Sequence, residues 1–262
     1  MLEDCHRIGP DRSRGVFETL LVRAGEPVAS AAHFERLAQS LRALYDADLP
    51  SGIEDSAASA AAGLSLGRLR ITVLPKDGGL RFGLDAEALD PAVPFPRDGV
   101  RLAGYPVPGG LGGHKLADRP AAIEHPPADR PGALITDEGE VLEAGWANVF
   151  AVRTGTLFTP PLDGRLLPGT TRAAVLEIAA AHGIETSEQP LLPNDLLTAD
   201  ETFLTGSIRG IEPALSLDGA GLPGCGQLSR RLEAALRQRW GLGAPTAPAA
   251  AADAPRAGQL SR

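Results

Sequence analysis

A segment rich in proline and glycine, residues 106–113, divides this chain of 262 residues into two parts that each combine strand and helix patterns. Clusters of proline and glycine between periodic segments are typical of connections between folded units. We therefore predict a small N-terminal α/β domain over residues 1–105, an interdomain linker over 106–113 and a larger β-rich domain, decorated by helices, over 114–242. Residues 243–262 are dominated by alanine, proline and small polar residues, so we predict a disordered tail there.

The first part reads as one helix and two strands. Apolar residues at helical spacing predict an amphipathic helix within residues 33–46, namely Phe34, Leu37, Leu41 and Leu44. The β-branched centre of residues 69–74 predicts a strand. A turn signal over residues 75–79 then leads into a second strand over 80–84.

The second part reads as several strands followed by helices. Strands are predicted over residues 133–136, 147–152 and 156–159, with a turn at 137–140. Pro168 and two threonines precede an apolar helical series, which marks a helix start. Leucines at fourfold spacing, ending at Trp240, predict a last helix within residues 226–241.

Charge and hydrophobicity exclude several classes of protein. The net charge of −8 argues against binding to nucleic acid through a broad basic surface. No run approaches the roughly 18 apolar residues of a membrane span, and the first residues lack the apolar core of a signal peptide. Cys5 and Cys225 have neither metal-ligand spacing nor the density of a disulfide framework. We expect a cytoplasmic protein without a metal, a membrane or a nucleic-acid partner.

Lysine is rare in this chain. The 25 lysines and arginines include only two lysines, Lys76 and Lys115. Lys115 follows a glycine-rich segment at 109–113. A lysine amine can be tuned into a nucleophile, whereas arginine stays protonated. Lys115 is thus a candidate for amine chemistry, and an ordinary surface lysine in an arginine-rich chain is the alternative.

Each of the other candidate site residues also has an ordinary structural interpretation. Glu143 precedes a strand with apolar flanks, so its carboxylate faces either an interior site or a strand edge. Thr170 and Thr171 at a helix start could bind an anion through hydroxyls and backbone N–H groups, or simply cap the helix. Ser207 lies in a turn after an apolar strand. Arg36, taken alone, fits a solvated helix residue.

Taken in order, these segments resemble the class IV, or fold-type IV, family of pyridoxal-phosphate aminotransferases over about residues 14–215. The family includes branched-chain aminotransferases, D-amino-acid aminotransferases and 4-amino-4-deoxychorismate lyases. The segments that carry the resemblance are 15–21, 33–37, 114–115, 143–150, 159–161, 167–172 and 203–207. The resemblance implies a small α/β domain, a larger β-rich domain, a cofactor in the cleft between them and a homodimer.

The resemblance also implies residue roles. Lys115 would carry pyridoxal 5'-phosphate as an internal aldimine and later shuttle a proton. Arg36, Thr170, Thr171 and Ser207 would bind the cofactor phosphate. Glu143 would meet the pyridine nitrogen, where a carboxylate keeps that nitrogen protonated and the ring electron-withdrawing. Asn148 would support this site, or tie strands together as a buried asparagine.

Within the family, the segments 115–119, 159–162, 166–170 and 206–210 look most like the 4-amino-4-deoxychorismate lyase branch, which releases pyruvate and 4-aminobenzoate for folate synthesis or a related pathway. An aminotransferase acting on branched-chain, D-amino acid or other amine substrates shares the first steps. Branched-chain enzymes usually have a tyrosine five residues after the lysine, where this chain has Pro120. Glu18 stands where some lyases have threonine.

Two further points stay open from sequence. Arg209 is the candidate for binding a carboxylate of the small-molecule amine substrate, with Arg70 and Arg14 as other candidates. The alternative is a structural arginine that pairs with surface acids, which is the preferred interpretation of Arg70. A protein that binds pyridoxal phosphate without catalysis, as a regulatory family member, is the alternative of another class. The presence of Lys115, Glu143 and Arg36 together argues against that alternative.

Overall fold

The computed structural model describes residues 14–76, 79–119, 123 and 131–243. The N-terminal part forms a four-stranded sheet in the order β2-β1-β3-β4, with two helices packed on it. Its elements are β1 (Val16–Arg23), β2 (Glu26–Pro27), α1 (Ser30–Tyr45), α2 (Ile53–Ala61), β3 (Leu66–Lys76) and β4 (Gly79–Ala88). Neighbouring strands of this sheet are antiparallel.

The core of this smaller unit lies between its sheet and α1. In β3 alternate residues are buried, as the twofold period of a strand requires when one face covers a core. Leu69 of β3 lies opposite Leu20 of β1, and both side chains are fully buried. Leu37 and Leu41 of α1 belong to the same hydrophobic cluster, so the apolar side of the helix covers the sheet.

The C-terminal part is built on a nine-stranded sheet. Its strands are β5 (Val100–Pro106), β6 (Gly132–Asp137), β7 (Glu140–Ala144), β8 (Ala147–Arg153), β9 (Thr156–Thr159), β10 (Thr186–Glu188), β11 (Glu201–Gly206), β12 (Gly210–Leu217) and β13 (Ala220–Gly221). Its helices are α3 (Thr170–Ala181), α4 (Pro193–Leu197) and α5 (Gln227–Arg239).

Strand pairing closes most of the large sheet on itself. The sheet runs in the order β10-β9-β8-β11-β12-β5-β6-β7, and β7 also pairs with β8. Six strands, from β8 round to β7, therefore form a closed ring, which leaves their backbone groups no free edge. Strand β5 runs parallel to both of its neighbours, whereas the other pairs in the ring are antiparallel.

The two parts share a hydrophobic cluster. Val175 and Ile178 of α3 pack in one cluster with Leu232 and Leu236 of α5. Leu21 of β1, from the small sheet, is buried in the same cluster. This shared burial fixes the small sheet against the larger unit and so fixes the cleft between them.

Most predicted elements are confirmed, and the mixed helix and sheet class is confirmed. The helix predicted within 33–46 is part of α1, and the last predicted helix is α5. Helices α2 and α4 and several strands, among them β1, β5, β7 and β12, were not predicted. Strand β7 was not predicted because two of its five residues are glutamates, so the segment has no continuous apolar run. Among the described residues no helix has the length and hydrophobicity of a membrane span.

The change from one sheet to the other falls between Ala88 and Val100, because β5 pairs in the large sheet. Division of the chain into domains at residue 105, with a linker over 106–113, stays a prediction. The tail predicted over 243–262 lies outside the described residues from residue 244 onward. Residues 77 and 78 of the predicted turn, and Pro120, also lie outside them.

Candidate active site

Lys115 lies against the first strand of the small sheet. The backbone N–H of Phe17 donates to the carbonyl oxygen of Lys115 at 2.9 Å, and that of Ala117 donates to the carbonyl oxygen of Gly15 at 3.1 Å. An isolated bridge between Val16 and Leu116 completes this pairing. The lysine Nζ lies 4.7 Å from the centroid of the Phe17 ring. The backbone is thus fixed at the position from which the amine extends.

Two cavities meet at Lys115. A small cavity of about 30 Å³ is lined by polar side chains, among them Arg36, Glu143, Asn148 and Ser207. A large cavity of about 780 Å³ adjoins it, and Lys115 lines both together with Trp146, Ala147, Gly206 and Ser207. Six predicted site residues besides Lys115 therefore converge on the small cavity: Arg36, Glu143, Asn148, Thr170, Thr171 and Ser207.

Arg36 is anchored at the small cavity by a buried carboxylate. Its Nε and Nη2 donate to the two oxygens of Glu18 at 2.8 and 2.6 Å, and its Nη1 donates to the carbonyl oxygen of Pro168 at 2.9 Å. Burial alone would raise the pKa of Glu18, but the charge of Arg36 and hydrogen bonds from His33 and Arg36 outweigh it and hold the pKa well below its usual range. Glu18 is therefore an anion that orients the guanidinium.

His33 connects this ion pair to the start of α3. Its Nδ1 lies 2.7 Å from Oε2 of Glu18, and its Nε2 lies 3.2 Å from Oγ1 of Thr170. Burial lowers the pKa of His33, so the imidazole is neutral. A carboxylate only accepts hydrogen bonds, so Nδ1 carries the hydrogen and Nε2 accepts from the Thr170 hydroxyl.

Glu143 is a buried carboxyl group on β7. The backbone N–H of Leu167 donates to both of its oxygens, each at 3.3 Å. Burial raises the pKa of Glu143 to about 7, although the charge of Arg119 and the bond from Leu167 act in the opposite direction. The Glu143 side chain therefore takes up or releases a proton near neutral pH.

Asn148 holds the loop that precedes α3. Its Nδ2 donates to the carbonyl oxygen of Leu167 at 2.9 Å. Its Oδ1 lies so close to Gly169 that a Cβ there would come within 1.9 Å of it. Asn148 is also the cross-strand neighbour of Glu143. The amide thus fixes the loop from which Leu167 reaches the Glu143 carboxylate.

The two threonines stand at the N-terminus of the twelve-residue helix α3. Gly169 is the capping residue, and the helix start has no side-chain cap hydrogen bond. The Thr170 hydroxyl meets His33 instead, as described above, so ordinary capping does not account for it. Backbone N–H groups at such a helix start are oriented to receive an anion.

Ser207 and Arg209 follow β11 at the junction of the two parts. The Ser207 hydroxyl donates to the carbonyl oxygen of Thr19 in β1 at 2.7 Å. Arg209 lines the large cavity and not the small one, and its Nη2 lies 2.5 Å from an oxygen of Glu212. Burial raises the pKa of Glu212, while Arg209 lowers it. The Arg209 side chain is 42% exposed, so it can meet a solute in the large cavity.

The lining of the large cavity has more basic than acidic side chains: Lys115 and four arginines against Glu87, Asp98 and Glu212. The four arginines are Arg68, Arg70, Arg101 and Arg209. Arg70 stacks on Phe17, with its Cζ 3.7 Å from the ring centroid. Arg14, the third arginine considered from sequence, forms an ion pair with Asp118 at 2.8 Å and does not line either cavity.

The family assignment follows from a match over most of the chain. The model of the amino-transferase class IV family matches residues 15–104 and 114–217. The chain belongs to the class IV aminotransferase family. Enzymes of this family use pyridoxal 5'-phosphate, and the fold-type IV architecture expected from sequence is confirmed.

Individual class IV relatives differ in activity. The branched-chain-amino-acid aminotransferase of Escherichia coli K12 is 39% identical over 107 residues, which is 40% of this chain and 35% of that protein. The crystal structure of 4-amino-4-deoxychorismate lyase from Pseudomonas aeruginosa has a TM-score of 0.74 and 30% identity, and covers 86% of this chain and 91% of that chain.

A second solved structure bears on the fold. A hypothetical aminotransferase from Mycobacterium tuberculosis, in its PLP-bound form, has a TM-score of 0.75 and 24% identity, and covers 87% of this chain and 89% of that one. The matched segments span two fifths or less of the length of the curated relatives. The two structural matches cover 86% and 87% of this chain.

The sequence analysis did not identify four residues of this site: Glu18, His33, Trp146 and Glu212. Trp146 lines both cavities, and its Nε1 donates to Glu212 at 3.4 Å. Glu18 and His33 lie within segments that carry the resemblance, but sequence gives no sign that they bond to each other. The signal that could have found them is polarity in a buried setting, because Glu18 interrupts the apolar strand β1.

Proposed function

We propose that this protein is a pyridoxal-phosphate-dependent 4-amino-4-deoxychorismate lyase, which converts its substrate into pyruvate and 4-aminobenzoate. The observation that supports this most directly is the position of Lys115 at the junction of the polar small cavity and the arginine-lined large cavity. A lysine in that position can hold a cofactor on one side and exchange a proton with a substrate on the other.

The side chains around the small cavity match the phosphate and the ring nitrogen of pyridoxal phosphate. A molecule of that size also needs space in the adjoining large cavity, because the small cavity measures only about 30 Å³. Arg36 and the N-terminus of α3, with Thr170 and Thr171, provide positive charge and donors for a phosphate, and Ser207 adds a hydroxyl. Glu143 provides a carboxyl group that can share a proton with a ring nitrogen, since its pKa is raised to about 7. When bound, pyridoxal phosphate supplies an electron-withdrawing ring that stabilises negative charge on a substrate carbon.

Asn148 acts in this proposal through the loop and not on the cofactor. Its bond to the Leu167 carbonyl fixes the loop whose backbone N–H contacts Glu143. Glu18 acts in the same indirect way on Arg36. Both are positioning residues, because each orients a group that faces the small cavity.

Lys115 moves the proton in the reaction. As a free amine, its Nζ takes the proton from the ring carbon that bears the substrate amino group. Loss of that proton and cleavage of the bond to the enolpyruvyl oxygen make the ring aromatic, and the departing group takes up a proton to become pyruvate. The Phe17 ring, whose centroid lies 4.7 Å from Nζ, forms the apolar surface beside the amine.

Arginines of the large cavity match the charge of this substrate, which has two carboxylates. Arg209 is our candidate for one of them, because it is half exposed and its position is fixed by Glu212. Arg70, held on the Phe17 ring beside Lys115, is the candidate for the other. Guanidinium groups bind carboxylates through two parallel hydrogen bonds, which fixes the orientation of the substrate as well as its affinity.

The lyase assignment is also supported by similarity along almost the whole lyase structure from Pseudomonas aeruginosa. A class IV aminotransferase is the second candidate, and the identity of 38–39% to branched-chain aminotransferases over two fifths of this chain favours it. Both reactions need the same cofactor site, so the large cavity decides between them.

The decisive comparison supplies the purified protein with aminodeoxychorismate and, separately, with pairs of amino acids and keto acids. The lyase releases pyruvate and 4-aminobenzoate in equal amounts without any keto acid. Turnover that requires a keto-acid acceptor, with no pyruvate from aminodeoxychorismate, would favour the aminotransferase assignment and contradict the lyase proposal.

A pair of lysine variants tests the role of Lys115. Lys115→Ala should abolish turnover, whereas Lys76→Ala, at the end of β3, should leave it unchanged. Binding of the cofactor without turnover in the wild-type protein would favour a regulatory role. The proposal includes a homodimer on the basis of the family resemblance, which light scattering of the purified protein tests.

A further inference from the structure

Thr205 has a buried hydroxyl that no described residue of the chain satisfies. The residue is 2% exposed, and its Oγ1 has no hydrogen-bond partner in the part of the chain that the structure describes. Thr205 lines the small cavity together with Lys115 and Glu143. Among the described serines and threonines around that cavity, it alone combines a buried hydroxyl with the lack of a partner. Buried polar groups in folded proteins are nearly always paired, so this hydroxyl needs an explanation.

Strand register places Thr205 in one row with two other site residues. Glu143 of β7 pairs with Asn148 of β8, and Asn148 pairs with Thr205 of β11. Side chains directly opposite one another on neighbouring strands point to the same face of a sheet. The row therefore presents a carboxyl group, an amide and a hydroxyl to the same side, where the small cavity lies.

The first two members of the row have partners in the loop before α3, whereas Thr205 has none. Leu167 bonds to Glu143 through its N–H and to Asn148 through its carbonyl oxygen. Ser207, two residues after Thr205, uses its hydroxyl on the Thr19 carbonyl. A valine has nearly the same shape as threonine and would fill the Thr205 position without an unpaired hydroxyl. The hydroxyl is therefore placed to bond a group that enters the small cavity.

We propose that Thr205 is a cofactor-binding residue, whose hydroxyl forms a hydrogen bond to pyridoxal phosphate in the small cavity. This inference rests on the proposed function for the presence of the cofactor, and it adds a ligand from β11 to those from α1, β7 and α3. Gly206 beside it has no side chain to crowd the same wall.

The test compares Thr205→Val and Thr205→Ser with the wild-type protein. Pyridoxal phosphate is removed from each by dialysis against a competing amine, and its rebinding is measured by titration of the visible absorbance. We expect Thr205→Val to bind about tenfold more weakly, the usual effect of one hydrogen bond, and Thr205→Ser to bind within about twofold of wild type. The cofactor-free Thr205→Val protein should be at least as resistant to urea as the cofactor-free wild type.

Thr202→Val is the matched control on the same strand. The Thr202 hydroxyl is buried and donates to the Leu196 carbonyl oxygen at 3.2 Å, away from the small cavity. Its loss should lower urea resistance and leave the affinity for pyridoxal phosphate unchanged. This opposite pattern separates a structural hydroxyl from one that serves the cofactor.

Equal affinity of Thr205→Val and wild type for pyridoxal phosphate would overturn the proposal. Lower urea resistance of the cofactor-free Thr205→Val protein would overturn it too, because the hydroxyl would then have a partner within the chain. A wild-type protein that does not bind the cofactor would overturn both this inference and the proposed function. If it binds the cofactor but does not release pyruvate, only the lyase proposal fails.

Discussion

Arg36 and Glu18 form a forked ion pair in which two guanidinium nitrogens donate to two carboxylate oxygens, at 2.8 and 2.6 Å, with both side chains buried. The pair joins α1 to β1, and His33 extends it to the start of α3. A buried pair is costly to break, because removal of one partner leaves the other charge without compensation. The arrangement of the side chains around the small cavity therefore depends on Glu18.

Glu18→Ala should lower the free energy of unfolding by about 3 to 5 kcal/mol, since it leaves Arg36 buried and unpaired. Urea unfolding followed by circular dichroism measures this, with Glu35→Ala, an exposed neighbour of Arg36, as the control that changes stability by less than about 0.5 kcal/mol. Because the pKa of Glu18 is depressed, its contribution is present above pH 4.5 and is lost as the pH falls below that value. Equal losses in the two variants would contradict the account.

Glu143 should make the cofactor-free protein less stable as the pH rises. Its pKa in the folded protein is about 7 against an ordinary value of 4.5, so the folded state binds more protons between these values. One pKa unit corresponds to about 1.4 kcal/mol, so wild type should lose about 3 kcal/mol relative to Glu143→Gln between pH 4.5 and pH 8. Urea unfolding of both proteins across that range tests this. A constant difference would mean that Glu143 does not titrate there.

Glu201 should hold the start of α5. Its carboxylate accepts backbone N–H groups from Gly226, Leu228 and Ser229 at 2.8–3.0 Å. Glu201→Ala leaves these donors without a partner and should cost about 2 kcal/mol of unfolding free energy, with a smaller loss for Glu201→Gln. Thermal and urea unfolding measure both variants. Unchanged stability in Glu201→Ala would show that water replaces the carboxylate.

Arg209 should determine substrate affinity more than turnover. Arg209→Ala should raise KM for aminodeoxychorismate by about ten- to a hundredfold, the usual effect of losing a charged hydrogen bond, with a much smaller change in kcat. Arg231→Ala, on the exposed side of α5, is the control. Steady-state kinetics of pyruvate release provide both constants. A loss in kcat alone would place Arg209 in the chemical step instead of in binding.

Much of this architecture could be predicted from local sequence signals. The helix α1 follows from Leu37, Leu41 and Leu44 at helical spacing, and the start of α3 follows from Pro168 and the threonines. These elements are set by neighbours within a few residues, which is the range over which periodicity and capping act. Lys115 could also be identified locally, because it is one of only two lysines in the chain and follows a glycine-rich segment.

The contacts that build the site could not be predicted in this way. Glu18 meets His33 and Arg36 across 15 and 18 residues, and Arg36 meets Pro168 across 132 residues. The row of Glu143, Asn148 and Thr205 depends on the register of three strands, and a shift of one residue would turn a side chain to the other face. Such partners are fixed by the packed tertiary structure.

The measurement that tests the central claim most directly is the site of covalent attachment of pyridoxal phosphate. Reduction of the protein with borohydride in the presence of the cofactor converts an imine into a stable bond, and mass spectrometry of peptides then identifies the lysine. With only Lys76 and Lys115 in the chain, the answer is unambiguous. We predict modification of Lys115 alone, and its absence in Lys115→Ala. Modification of Lys76, or of neither lysine, would contradict the account.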